Sequence, residues 1–338
     1  MIRTGIIGLG KMGLSHCSIL GAHPEVDLVA ACDTSGLILE AMSKYSTIKV
    51  YNDYRKMIDE NKLDCLFVAT PTKYHADMVI YGLENNLHVF CEKPFSLHIN
   101  EGEKMVRLAR EKKRVTQVGY HNRFLGTFNE VKRLLECQVI GDIYHFLGEA
   151  YGPVVLKKKG GTWRSETSEG GGCLFDYASH IINLINYILG NITDAEGTLL
   201  KKIYSKSVED AVYSTLFLEN GLGGILSVNW SDETYRKMST QITVLGTEGK
   251  IISDAQELKI YLKKENKKLK LEKGWTMKYV TDLTAPVNFY LRGEEYSAQI
   301  DYFINCIKQN ELNNRNSFES ALQTDYIIER LKKNAERR

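Results

Sequence analysis

Asp176 and His180 stand four residues apart, directly after the run Gly170-Gly171-Gly172-Cys173. On a helix that spacing puts a carboxylate and an imidazole on one face, and such a pair beside a glycine-rich loop suits proton transfer. A helix-start aspartate complementing the dipole, with a locally bonded core histidine, would use the same two residues. A further ionisable group, Lys93, lies in Glu92-Lys93-Pro94. The proline restricts its backbone; a solvated surface lysine is the ordinary alternative. No third His, Cys or Asp cluster accompanies these positions, so no metal site is expected.

Gly8-Leu9-Gly10-Lys11-Met12-Gly13 carries a different chemistry. It follows a strand-like run and opens a helical one, the context in which G-x-G-x-x-G binds a dinucleotide. Gly8 permits the tight turn, Gly10 lets the backbone approach a pyrophosphate, and Gly13 lets helix and strand pack closely. Lys11 and Met12 lie inside this loop, where amides at the helix start face phosphate charge. Asp33 comes 20 residues after Gly13 at the end of the second strand, where an acid bonds ribose hydroxyls. A carboxylate there repels a 2′-phosphate, and Thr34-Ser35 offers no arginine clamp, so NAD is favoured over NADP. Asp33 would alternatively cap the next helix.

Two more stretches fall at carboxyl ends of parallel strands, the edge where open α/β sheets bind ligands. One is Thr70-Pro71-Thr72 with His75; the other is Glu92-Lys93-Pro94 itself. Thr and Pro are also ordinary turn residues. The loop Lys157-Lys158-Lys159-Gly160-Gly161-Thr162-Trp163-Arg164 precedes the glycine run. Its cations suit phosphates and Trp163 suits stacking on a ring, although a solvated loop has the same composition. The lysine-rich run 263–268 lies between strand-like stretches and is expected to be a solvated hairpin tip.

These sites need elements to hold them. Strands are expected over 2–7, 27–32, 64–69, 87–91 and 115–118, alternating with helices over 11–20, 75–84 and 100–112, the last capped by Asn100 with Glu103 three residues on. That alternation implies a parallel sheet with helices on both faces. The pattern changes near Tyr120. A helix is expected over 127–137, a strand over 143–151, and a long helix over 174–189 ending at Gly190. Strands follow over 210–218, 223–229, 241–245, 250–252 and 258–271, suggesting an antiparallel sheet. Helices over 294–308 and 318–332 close the chain.

Composition narrows the function. The chain has 338 residues, enough for about two domains. Its 44 Lys+Arg against 42 Asp+Glu leave a net charge of +2, no field for nucleic acid. No run of roughly 20 apolar residues marks a membrane span. Arg3 is followed at once by Gly5-Ile6-Ile7-Gly8 rather than a signal-peptide core, so a cytoplasmic location is expected. The 7 cysteines are scattered without Cys-x-x-Cys; they read as buried free thiols, not as disulfides or a zinc site.

Taken in order, Gly-x-Gly-x-x-Gly, Asp33, Thr-Pro-x-x-x-His, Glu-Lys-Pro and Gly-Gly-Gly-x-Leu-x-Asp-x-x-x-His resemble the Gfo/Idh/MocA oxidoreductase family over essentially the whole chain. The resemblance implies an α/β chain. Its parts would be a Rossmann dinucleotide-binding domain (1–121), an α+β substrate and oligomerisation domain with a large, mostly antiparallel open sheet (122–293), and C-terminal helices (294–338) packing back on the first domain. It places Lys93, Asp176 and His180 at catalytic positions and His75 and Glu92 at the cofactor site. Asn122, within Asn122-Arg123-Phe124, would touch substrate with Trp163, Arg164, Asp176 and His180. Ala178 stands where the family often has glycine, a small change. The implied reaction moves a hydride between NAD and a secondary alcohol of a sugar, with a nucleotide sugar preferred. His180 would be the base, Asp176 would orient it, and Lys93 would stabilise charge on the oxygen. Alternatives are a polyol or cyclitol dehydrogenase, an NAD-dependent redox-neutral glycosidase and a non-catalytic nucleotide-binding regulator. A homodimer or homotetramer is expected, paired through the open sheet face.

Overall fold

Every residue of Cys65–Val68 is buried, as are three of the four in His88–Cys91. Strands apolar on both sides belong inside a sheet covered on both faces, and that is where the chain puts them. The structure, a computed structural model, describes residues 1–157, 163–287 and 289–337. It divides into two compact units, one formed by residues 1–121 with 286–322 and the other by 122–285 with 323–338.

The first unit contains β1 (Ile2–Ile7), α1 (Lys11–Ala22), β2 (Val26–Cys32), α2 (Gly36–Tyr45), β3 (Lys49–Tyr51), α3 (Tyr54–Glu60), β4 (Cys65–Val68), α4 (His75–Glu84), β5 (His88–Cys91), α5 (Ile99–Lys112) and β6 (Thr116–Val118). Its six strands are all parallel, in the order β3-β2-β1-β4-β5-β6. The reversal at β1/β4 is the switch point where doubly wound sheets bind nucleotides. The sequence pattern does not predict α2, β3 or α3. The start of α5 also differs from expectation: His98 is the N-cap, and Asn100 lies within the first turn, where its side chain accepts from the Glu101 amide.

The second unit begins with a turn over His121–Phe124, of which Asn122 onward belongs to it, then α6 (Gly126–Glu136) and β7 (Ile143–Tyr151). The helix expected over 174–189 is two pieces: a single π-helical turn, Leu174–Ala178, and α7 (Ser179–Leu189), which ends at Gly190 with φ +109°. There follow β8 (Ile192–Lys201), β9 (Ala211–Leu218), β10 (Gly223–Asn229), β11 (Ser239–Gly246), β12 (Gly249–Ser253), β13 (Glu257–Leu262), β14 (Gly274–Tyr279) and the one-turn α8 (Val280–Leu283). The strand expected over 258–271 is therefore β13 alone, and β8 and β14 are additions. The eight-stranded sheet runs β14-β13-β12-β11-β7-β10-β9-β8, antiparallel except for β10 beside β7. Gly148 on β7 allows α7 to lie close, since a Cβ there would come within 2.9 Å of Ile181.

The final segment adds α9 (Glu294–Gln309) and α10 (Phe318–Glu336). Ile300, Phe303 and Ile304 of α9 enter the core of the first unit with Phe67 and Phe90. Asn314 and Asn316 donate to the carbonyls of Thr116 and Tyr120. The expectation that 294–338 packs wholly on the first domain needs correction: residues 323–338 pack with the second unit. Their side chains explain it, because Thr324 bonds Asn183, Asn334 accepts the Thr198 amide, and Arg330 pairs with Asp194. Six cysteines are buried, but Cys137, just past α6, is exposed. Among the described residues no helix is long and apolar enough to cross a membrane.

Candidate active site

In the first unit the phosphate loop has the backbone that its glycines require. Gly8 takes φ +89°, and a Cβ on it would lie 2.8 Å from the Ala69 carbonyl carbon. A Cβ on Gly13 would overlap the Gly8 carbonyl oxygen. Above Gly10 the space is open: a Cβ would meet nothing within 4 Å. Gly10 is the N-cap of α1, so amides of Lys11, Met12 and Gly13 lie at a helix N-terminus with no acidic side chain in the first turn. Asp33 accepts the Leu9 amide at 2.6 Å through one oxygen and the Ser35 amide at 2.8 Å through the other. It thus clasps the loop, and each oxygen keeps a lone pair for a ribose hydroxyl. Open backbone above Gly10, a free helix start and an acceptor at the second strand end fit a dinucleotide.

The turn after β5 is braced from inside. Glu92 is buried; one oxygen accepts from His16 Nε2 at 2.7 Å and the other from the Lys93 amide at 3.1 Å. Burial works to raise the Glu92 pKa, but the His16 hydrogen bond and the nearby Lys93 charge hold it below the ordinary value. The peptide joining Lys93 to Pro94 is cis. His75 is buried with one ring nitrogen 3.1 Å from the Pro94 carbonyl and the other 2.9 Å from that of Thr70. It ties the Thr70-Pro71 turn to the Lys93 turn. Burial pushes its imidazole below the ordinary histidine range, with the Thr70, Phe95 and Pro94 carbonyls pulling the other way. The resemblance places His75 and Glu92 at the cofactor site; in the structure both side chains brace the turns after β4 and β5. His16 carries no signal in the sequence, because its partner is 76 residues away.

In the second unit Asp176 and His180 are both buried, in the π-turn and in the first turn of α7. Asp176 Oδ2 accepts from Arg164 Nε at 2.9 Å, and the same guanidinium lies 4.6 Å from the Trp163 ring centre. Arg164 therefore sits against the acid with Trp163 beside its guanidinium, whereas Lys158, Lys159 and Thr162 of the same loop lie outside the described residues. Glu209 holds the glycine run: its carboxylate accepts the Leu174 amide at 2.8 Å and lies where a Cβ on Gly172 (φ +108°) would be. Burial raises its pKa, opposed by the Leu174 amide. Asn122 is buried, and its amide nitrogen has no acceptor among the described residues. Its neighbour Arg123 donates to the side chain and carbonyl of Asn183, one turn beyond His180. Asn122 is thus anchored to the helix that carries the imidazole, with a donor to spare. Among the described residues no group of His, Cys, Asp or Glu gathers as a metal site would.

Known proteins resemble this chain in sequence and fold. The model of an oxidoreductase family with an NAD-binding Rossmann fold, Gfo/Idh/MocA, matches residues 2–120, and that family's C-terminal domain matches 128–252. The chain belongs to the Gfo/Idh/MocA oxidoreductase family. Its cofactor domain is an NAD-binding Rossmann domain. Among its relatives, the scyllo-inositol 2-dehydrogenase (NAD(+)) of Bacillus subtilis is 23% identical over 312 residues, covering 91% of this chain and 86% of that one. The structure of a levoglucosan dehydrogenase with NADH and levoglucosan superposes with a TM-score of 0.88 at 21% identity, covering 99% of this chain and 97% of that one. The WlbA dehydrogenase of Bordetella pertussis, solved with NADH and UDP-GlcNAcA, gives 0.82 at 20% identity with the same coverage.

Proposed function

We propose that the chain oxidises a secondary alcohol of a sugar or polyol, or reduces the matching ketone, with NAD(H) preferred to NADP(H). One observation carries the reading most: a buried carboxylate and imidazole, Asp176 and His180, opening α7 in a chain of this oxidoreductase family. NAD would be held by Gly8, Gly10, Lys11, Met12 and Gly13 at its pyrophosphate, by Asp33 at its ribose, and by the turns containing Thr70, Pro71 and Lys93. Bound there, it supplies a hydride acceptor. His180 takes the hydroxyl proton as general base, and Asp176, fixed by Arg164, orients the imidazole. Lys93 donates to the same oxygen as it gains negative charge. Asn122 offers its amide to a neighbouring substrate hydroxyl, and Trp163 a ring to stack on. A nucleotide sugar is the preferred class, since a loop with Lys157, Trp163 and Arg164 suits phosphates and a base.

The deciding experiment is single-turnover hydride transfer against cyclitols, glucosides and UDP-sugars, followed by NADH fluorescence. On the true substrate His180→Ala should slow transfer by about 10²–10⁴-fold, the usual share of general base catalysis, with NAD affinity little changed. Near-normal transfer would show the base to be wrong. Turnover on cyclitols alone would move the substrate to that class. Tightly retained NAD with no net NADH would favour the redox-neutral glycosidase.

The same reading includes a homo-oligomer. On the second unit's sheet the side not covered by α6 and α7 presents Leu147, Phe217, Ile225, Ile252, Tyr261 and Trp275, with Ile225 43% and Trp275 60% exposed. Glu149, Lys250 and Lys259 share that side, and this mix of exposed apolar and charged side chains suits pairing with a second copy.

A further inference from the structure

His16 is three residues past Gly13, on the first turns of α1, and its side chain is 0% exposed. Its ring packs against Phe90 with centroids 5.3 Å apart, near edge-on, and against Phe67 at 6.0 Å. In that apolar socket the imidazole has a fixed direction, and Nε2 meets Glu92. The other Glu92 oxygen accepts the amide of Lys93. The space that Glu92 occupies is left by Gly119, where a Cβ would lie 2.9 Å from its Oε1. So a continuous hydrogen-bonded path runs from the helix that starts at the phosphate loop to the backbone of Lys93.

Stability does not require this arrangement. A buried hydrogen-bonded polar pair is weak evidence for stabilisation, because well-packed apolar residues of similar volume serve as well. What an apolar pair lacks is a carboxylate aimed at the Lys93 peptide. Burial alone would push Glu92 toward its neutral form, and His16 is the largest of the influences that keep it ionised. An ionised carboxylate is the stronger acceptor for the amide.

We propose that His16 is a positioning residue for Lys93: acting through Glu92, it fixes the lysine's backbone relative to the cofactor-binding helix. The proposal rests on the reading of Lys93 as the group that meets the substrate oxygen. A side chain misplaced by about 1 Å can cost 10²-fold in rate, so the brace matters in the chemical step rather than in cofactor affinity.

Two variants separate the roles. His16→Leu removes the donor and keeps apolar bulk; His16→Gln keeps a nitrogen donor near the Nε2 position. Each is measured in single-turnover hydride transfer, in NAD titration, and in acylation of Lys93 in the cofactor-free protein, followed by mass spectrometry. His16→Leu should slow hydride transfer by about 10–10²-fold, the cost of a displaced catalytic group. It should change the Lys93 acylation rate and leave NAD affinity close to the original. His16→Gln should recover most of the transfer rate and the acylation rate. In a Lys93→Ala background His16→Leu should add no further loss, since two residues acting as one unit are not additive.

A loss confined to NAD affinity, full additivity with Lys93→Ala, or unchanged Lys93 acylation in a folded His16→Leu protein would each overturn the proposal. If Lys93→Ala itself turns over normally, the catalytic reading of Lys93 fails, and the acylation rate alone then decides whether His16 positions the lysine. Should His16→Leu not fold, His16→Asn takes its place, its shorter amide falling short of Glu92.

Discussion

The guanidinium of Arg164 lies on the carboxylate of Asp176, Nε to Oδ2 at 2.9 Å, with the arginine side chain 41% exposed and the aspartate 7%. One partner is wet and one is dry. Removing the wet one takes a charge partner from a buried carboxylate, and the cost falls on the dry side. Arg164→Gln should therefore lower stability by about 1–2 kcal/mol, between an exposed and a buried pair. It should also slow hydride transfer more than it weakens NAD binding. Denaturant unfolding and NAD titration measure the two; an unchanged transfer rate would remove Arg164 from the orienting of Asp176.

Gly10 and Gly13 make opposite demands. A Cβ at Gly13 would overlap the Gly8 carbonyl, whereas at Gly10 it meets open space, with φ −65°. Gly13→Ala should lower both the unfolding midpoint and NAD affinity. Gly10→Ala should leave the unfolding midpoint within about 0.5 kcal/mol of the original stability, as for surface changes, yet abolish most NAD binding. Calorimetry beside NAD titration gives both readings, and a Gly10→Ala protein with intact affinity would displace the pyrophosphate from this loop.

Asp33 holds the Leu9 and Ser35 amides, and in the proposed reading it also accepts from the ribose. Asp33→Ser with Thr34→Arg should turn preference toward NADP by about tenfold or more, some 1.4 kcal/mol. The measurement is kcat/KM with each cofactor. A wild-type enzyme that already uses NADP equally well would contradict the role given to this carboxylate.

Burial holds two histidines of the first unit down to a pKa of about 4, His88 and His121, against an ordinary value of 6.5. Between those values the unfolded chain binds more protons than the folded one, so stability rises with pH across that window. It is lost as pH falls from 6.5 toward 4 and is fully present above 6.5. His121 stacks on Tyr296 with ring centres 4.6 Å apart. His121→Phe should keep the stack and flatten the stability profile between pH 4.5 and 6.5. Urea unfolding at several pH values tests this, and an unaltered slope would exclude His121 as a contributor.

Trp275 stands on the edge strand β14, 60% exposed on the open face of the sheet. Trp275→Glu should shift sedimentation toward the monomer without changing thermal stability of the monomer itself. A wild-type protein that sediments as a monomer at micromolar concentration would remove the interface.

The glycine loop was legible because each position has one physical demand that glycine alone meets. Asp33, Lys93, Asp176 and His180 were legible as candidates because each follows a strand end or a glycine run. α2 escaped because none of its residues is fully buried: Ile38, Leu39 and Met42 pack on the core only in part, a weak stripe. β8 escaped because two register shifts break its alternation. The π-turn has no sequence signature distinct from a helix. His16 and Glu209 were invisible for another reason: each acts on a partner tens of residues away, and burial, which gives them meaning, is a property of the fold. Residues 323–338 looked like a continuation of the preceding helix in pattern; which unit they join depends on single contacts such as Thr324 with Asn183.

The discontinuous first unit has a consequence for how the protein is made. Phe303 rests edge-on against Phe67 and Phe90, 5.7 and 5.8 Å away, and Asn314 and Asn316 satisfy carbonyls of the sheet's last strand and the turn after it. A ribosome delivers the glycine loop first, yet the core beneath it stays open until residues near the far end of the chain emerge. The nucleotide domain thus stays unfinished until α9 and the segment after it have been made. A gene fragment ending at His121 would leave its central phenylalanines in water, so the cofactor domain cannot be borrowed by cutting the chain once.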